Sequence, residues 1–223
     1  MSAIRIDHFS DILCIWAYIS DIRVRELENN FPKQVEFDFH FFPIFGNVPG
    51  KMESVWGDRG GIGAYAKHVQ ETAAQFDHIK LHPDAWSKVQ PYSSLPSHLY
   101  LAAVKQLERD TVIAGYSYRE LALRMRREFF EQARDISNAH VLDEIVTDTQ
   151  LPLADIKEAI DSGKAYAHFA EDIQFARDKN IRSSPTLIFN DDRQRLSGNV
   201  GYRIIEANIK ELIERPVIQH SWC

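Results

Sequence analysis

The first forty residues constrain the fold more than any other part of the chain. Ile4 to Phe9 reads IRIDHF and Val35 to Phe42 reads VEFDFHFF. Both alternate apolar and polar residues, the period of a half-buried strand. Between them, from Cys14 to about Asn29, Trp16, Ala17, Ile19, Ile22, Val24 and Leu27 recur at spacings near three, which predicts a helix. Ser10 and Asp11 offer N-cap chemistry just ahead of it, and Pro32 helps to end the unit. Strand, helix and strand in so short a span form a βαβ unit, which implies a right-handed crossover and parallel pairing.

A βαβ unit alone cannot cover its sheet, so the remainder must complete it. Pro43 to Gly61 is rich in Gly and Pro and reads as a loop. From Ile62 to Asn180 the pattern is helical almost throughout. Ile62–Phe76, His98–Arg109, Tyr118–Ala133, Ala139–Asp148, Leu153–Asp161 and Ala165–Lys179 are the expected helices, with Gly163 as a C-cap. Strand character returns in IRSSPTLIFN, from Ile181. DDRQ reads as a turn, and Arg195 to Ser197 as a fourth strand antiparallel to the third. Tyr202 to Glu214 is a last helix, stopped by Pro216. The expectation is an α/β chain: residues 1–60 and 181–223 join into a four-stranded mixed sheet flanked by helices. Residues 61–180 form an all-helical insertion, hinged near Gly61 and Asn180, whose final helix packs back on the sheet.

Charge and cysteine usage exclude several functions. There are 26 basic and 32 acidic side chains, a net charge of −6 and a pI near 5.8, unlike a non-specific nucleic-acid binder. In RREFFEQAR, Glu128 and Glu131 interleave with the arginines, so a solvated helix face is expected. No apolar run is long enough to span a membrane. MSAIRIDHFSD does not read as a signal peptide, so a cytoplasmic location is expected. In a reducing compartment the two cysteines, Cys14 and Cys223, are not expected to pair. No Cys/His spacing suggests a metal, and the nine histidines are expected at the surface or as caps.

Cys14 is the residue that carries chemistry. It lies between a strand and the start of a helix, where free N–H groups and the helix dipole stabilise an anion. Its pKa is therefore expected to fall below the ordinary value of about 8.5, favouring the nucleophilic thiolate. A buried, inert cysteine is the other reading. Ser184-Pro185 opens the third strand. A cis bond there would present the Ser184 backbone to an extended ligand, whereas a trans proline would simply open an edge strand. Asp11 is expected to cap the helix, with a role as base the alternative.

Taken together these segments resemble a known family. Cys14-Ile15-Trp16-Ala17 in DILCIWAYISD is similar to the active-site segment of the DsbA-like branch of the thioredoxin superfamily. REFFEQARDISNAHVLDEI resembles the insertion-domain helix of cytoplasmic DsbA relatives. SSPTLIFN looks like the cis-proline strand, and SGNVGYRIIEANI like the Gly-led turn and last helix. The likeness spans nearly the whole chain, with its four motifs in order. It implies a thioredoxin-like fold and a thiol–disulfide oxidoreductase with Cys14 as nucleophile and Ser184 and Pro185 docking the substrate. Trp16, counted with Ser184, Pro185 and Asn199 among the substrate- or glutathione-binding residues, would pack against the insertion, or would shield the thiolate. Asn199, near the start of the last helix, would hold the γ-glutamyl carboxylate of glutathione, or would simply shape a turn.

The same fold serves kappa-class glutathione transferases and 2-hydroxychromene-2-carboxylate isomerase, which carry a serine near the Cys14 position. A glutathione-dependent transferase or isomerase is thus a second implied class, and a non-catalytic peptide-binding protein a third. One departure bears on mechanism: Ala17 stands where the second, resolving cysteine of the motif would be. Redox turnover then needs glutathione, a protein thiol, or Cys223, which is expected to be a bystander at the terminus. No permanently bound cofactor is expected, glutathione being a cosubstrate. The partners expected are a small thiol or a protein thiol or disulfide, with a homodimer left open.

Overall fold

The computed structural model describes residues 3–115 and 117–214. Cys223 and Pro216 lie outside them. The chain opens with strand β1 (Ile4–Ser10), helix α1 (Ile15–Asn30) and strand β2 (Val35–Phe41). Helices α2 (Val48–Trp56), α3 (Gly61–Ala73), α4 (Leu95–Arg109), α5 (Ser117–Phe130), α6 (Ala139–Asp148), α7 (Leu153–Asp161) and α8 (Lys164–Asp178) follow. The hairpin β3 (Thr186–Phe189) and β4 (Gln194–Ser197) leads to α9 (Tyr202–Glu214).

The sheet order is β2-β1-β3-β4. β1 runs parallel to β2 and antiparallel to β3, and β3 is antiparallel to β4. This is the mixed four-stranded sheet the periodicity implies. β1, one of the two inner strands, is covered on both faces, so the alternation that reads as half-buried has a second cause. Ile4 and Ile6 belong to the large core shared with α1 and α9, while Phe9 packs with Phe42, Ala176 and Ile188 against α8.

Three expectations need correction. Pro43–Gly61 is not a continuous loop but contains α2 and a single 3-10 turn, Gly57–Arg59. Asn47 caps α2 by accepting from the Gly50 N–H at 3.1 Å, and Pro49 falls in the first turn, where its missing N–H has no helical partner to lose. The breakers were helix-start residues. Second, His8, His40, His98 and His168 are buried, not superficial. Third, RREFFEQAR is not a uniformly solvated face, because Arg126 and Glu128 are buried. Glu128 pairs with Arg124 (2.8 Å) and Arg134 (2.9 Å).

The buried His40 explains one join between helices and sheet. Its Nδ1 meets Asp172 of α8 at 2.8 Å and its Nε2 meets Asp7 of β1 at 3.1 Å. Lys105 of α4 bonds Asp38 (2.8 Å) and the Phe39 carbonyl (2.7 Å), and Arg5 bonds Asp7 (3.0 Å). Burial works against the charged imidazole, but the hydrogen bonds it donates to Asp172 and Asp7 outweigh that and raise its pKa.

Candidate active site

Cys14 is the N-cap of α1, with extended backbone, and its carbonyl accepts the Tyr18 N–H at 3.1 Å. The helix starts there because the chain turns at Asp11–Leu13 straight out of β1. The Asp11 carboxylate holds that turn by accepting the Leu13 N–H (2.8 Å). Asp11 is therefore not the helix cap; it organises the loop before the cap.

The structure brings Cys14, Ser184 and Pro185 together. The Ser184-Pro185 bond is cis. The Cys14 Sγ donates to the Ser184 carbonyl at 3.2 Å, and the Ser184 Oγ accepts the Asp11 N–H at 2.9 Å. The Pro185 carbonyl accepts the Gly198 N–H at 2.8 Å, fixing the loop before α9. The β3 entry thus crosses the start of α1 and is bonded to it twice.

Trp16 and Asn199 are placed differently. Trp16 is half-buried and meets Phe76 edge-on, with centroids 6.3 Å apart. It packs against the helical segment. The Asn199 Oδ1 accepts a hydrogen bond from Arg23, which also donates to the Val200 carbonyl at 3.2 Å. Asn199 is not joined to the Cys14 group.

The electrostatics correct another expectation. The Cys14 thiol is raised above its ordinary value, not lowered: burial comes first, and the Asp11 charge adds to it. Hydrogen bonding to Ser184 and the N–H groups of Ala17 and Trp16 work the other way. The helix start is present, but Cys14 is only 7% exposed, and loss of solvent outweighs it.

Several residues that sequence reasoning missed complete the surroundings. Asp11 Oδ2 accepts the Phe45 N–H (2.8 Å) and the Ser94 hydroxyl (2.8 Å), tying three loops at one fully buried carboxylate. His98 Nε2 accepts the Ile12 N–H at 3.1 Å, which leaves the ring proton on Nδ1. Burial lowers the His98 pKa, so the ring is neutral. Arg126 donates to the Ser10 Oγ at 3.0 Å. Local spacing does not signal Phe45, Ser94, His98 or Arg126, because each reaches the Cys14 loop from a segment distant in sequence. Asp7, Asp38 and His40 offer donor atoms within 4.8 Å of one another, a geometry a cation can use. Arg5, Lys105 and Asp172 already engage those atoms, so the group is an internal charge network.

The profile of the DSBA-like thioredoxin domain matches residues 5–210. The chain belongs to the DSBA-like thioredoxin family. A disulfide-isomerase candidate from Nitrosomonas europaea has the same fold, with a TM-score of 0.74 at 12% identity, covering 96% of this chain and 98% of that one. The cytosolic disulfide reductase DsbM from Pseudomonas aeruginosa gives 0.65 at 16% identity, covering 92% and 98%. 2-Hydroxychromene-2-carboxylate isomerase gives 0.65 at 12% identity, covering 97% and 100%. At such identities the likeness is one of fold. A search of curated proteins by sequence found no match. Among the described residues no helix is long and apolar enough to cross a membrane.

Proposed function

We propose that this DSBA-like protein carries out thiol–disulfide exchange through Cys14 alone, in the cytoplasm, with glutathione or another external thiol completing the cycle. The observation that carries this is the Cys14 sulfur at the first turn of α1, 3.2 Å from the Ser184 carbonyl beside Pro185, with Ala17 in place of a second cysteine. The Cys14 thiolate attacks one sulfur of a substrate disulfide. A bond forms to Cys14, the substrate S–S bond breaks, and the departing sulfur takes the electron pair and then a proton from water. A glutathione thiolate next attacks the substrate sulfur of that mixed disulfide. Cys14 leaves as thiolate, and substrate and glutathione remain joined. Ser184 and Pro185 dock the substrate backbone. No permanently bound cofactor enters either step. A structure of DsbM with glutathione shares the fold over 99% of that chain, which supports glutathione as the partner.

A test is to incubate the reduced Cys223→Ser protein with oxidised glutathione and map the adduct by mass spectrometry. One glutathionyl group on Cys14, removed by reduced glutathione, is the expected result. No adduct at Cys14 rejects the reading. A second reading has a specific support: burial holds Cys14 toward the neutral thiol, so the reacting thiolate would belong to bound glutathione, as in a glutathione-dependent isomerase or transferase. Cys14→Ser separates the two, since exchange would be abolished and glutathione-dependent isomerisation or conjugation would persist.

A further inference from the structure

Arg126 is a buried cation with no direct ion pair among the described residues. It lies on α5 and is 3% exposed. Its Nη2 donates to the hydroxyl of Ser10, the last residue of β1 and four positions before Cys14. Its Nε has no hydrogen-bond partner, and no carboxylate of the described residues forms an ion pair with it. A guanidinium cannot escape the penalty of burial by shedding its proton, as a lysine can.

The titratable and charged groups around it come from three elements. His8 and Asp11 lie on β1 and the loop after it, Cys14, Tyr18 and Asp21 on α1, and His98 on α4. His8 and His98 are neutral, His8 being lowered by burial to about 3. Tyr18 is held above its ordinary value, by burial first, and donates to Glu131. Asp21 pairs with Arg25 at 2.9 Å, and the Asp11 carboxylate accepts three hydrogen bonds. Cys14 is the member of this set whose charge changes during exchange.

We propose that Arg126 is the counter-charge of the Cys14 thiolate, a positioning residue that acts through the field of its unpaired guanidinium without touching substrate. This rests on Cys14 being the working thiol. With Cys14 protonated, the guanidinium is compensated only by the Asp21 and Asp11 carboxylates, neither of which bonds it directly. When Cys14 gives its proton to water, or is released from a mixed disulfide, the two opposite charges stabilise each other in an interior where little solvent screens them. α5 belongs to the helical segment, which thereby sets the reactivity of a cysteine carried by the sheet.

The test uses the Cys223→Ser protein and reads the Cys14 pKa from the pH dependence of iodoacetamide alkylation and of thiolate ultraviolet absorbance. Arg126→Met is expected to raise that pKa by about one unit, which lowers the alkylation rate roughly tenfold at any pH well below it. Arg126→Lys, which keeps the charge, is expected to recover most of the loss. A merely structural role would move stability in both variants without this split. If Arg126→Met does not fold, Arg126→Gln can still donate to Ser10 and carries the same expectation. A Cys14 pKa unchanged by loss of the charge overturns the proposal. Because the readout needs no exchange activity, a protein that shows no exchange but a shifted pKa fails the functional reading and not this one.

Discussion

The loop that presents Cys14 depends most on Asp11, a fully buried carboxylate that accepts from the Leu13 N–H, the Phe45 N–H and the Ser94 hydroxyl. Asp11→Ala leaves three buried donors unpaired and is expected to cost about 3 kcal/mol, read by urea unfolding. Asp11→Asn keeps an acceptor but loses the charge, which adds to the burial that holds the Cys14 thiol up. The Asn variant should therefore be less stable, yet its Cys14 should react with iodoacetamide at lower pH. Unaltered reactivity would show that the carboxylate acts only as scaffold. The sequence marks some of this site and not the rest. Cys14 is legible because a strand-to-helix junction is a local pattern, and Ser184-Pro185 because proline restricts its own surroundings. Ser94 and His98 meet the Cys14 loop from 83 and 86 residues away, and Arg126 meets Ser10 from 116, so only packing brings them in. The direction of the Cys14 shift is hidden from the sequence for the same reason. Position at a helix start is written locally, whereas burial depends on everything folded over it.

Between elements, the join of α8 and α4 to the sheet runs through a pH-sensitive pair of contacts. His40 of β2 bridges Asp7 of β1 and Asp172 of α8, with Asp38, Lys105 and Arg5 around it. Its folded pKa is raised despite burial. The stability it contributes is therefore complete below the unfolded value of about 6.5 and is lost as pH rises through the folded value. His8 has the opposite sign. Burial lowers it to about 3, so its contribution is complete above about 6.5 and is lost as pH falls toward about 3. Thermal melts across pH should show a maximum, with His40→Gln flattening the alkaline arm and His8→Leu the acid arm. An alkaline arm identical in His40→Gln and parent would mean that His40 does not titrate there. Neither histidine is legible as buried from spacing alone. His40 sits at an alternation position that looks outward until the second sheet face is known to be covered, whereas His8 shares the face of Ile4 and Ile6 and is disguised only by its polar side chain. In the same way α2 was hidden behind Pro49 and Gly50, read as breakers when they belong to a first turn.

At the scale of the molecule, the helices inserted between β2 and β3 in sequence are not separate in packing. One core runs from Ile4 and Ile6 of β1 through Leu101 of α4 and Phe129 of α5 to Ile209 and Leu212 of α9. The join is largely aromatic. Tyr18 of α1 stacks on Phe130 at 5.2 Å, Phe129 meets Trp86 at 5.2 Å, and Trp86 meets Tyr65 and Phe45 at 5.1 and 5.5 Å. The change of pattern near Gly61 and Asn180 is legible because strands give way to helices there, but a change of period does not mark a gap between cores. A shared core implies shared unfolding. Phe129→Ala empties a fully buried site at the middle of the join and is expected to cost about 3–5 kcal/mol. In a background with Trp16→Phe and Trp222→Phe, Trp56 and Trp86 report on the helical side by fluorescence, and alkylation of Cys14 reports on the sheet side. Both signals should change at one denaturant concentration in the parent, and both should move together to a lower one in Phe129→Ala. If the tryptophans respond first while Cys14 stays protected, the helices unfold on their own, and the sheet keeps its thiol buried without them.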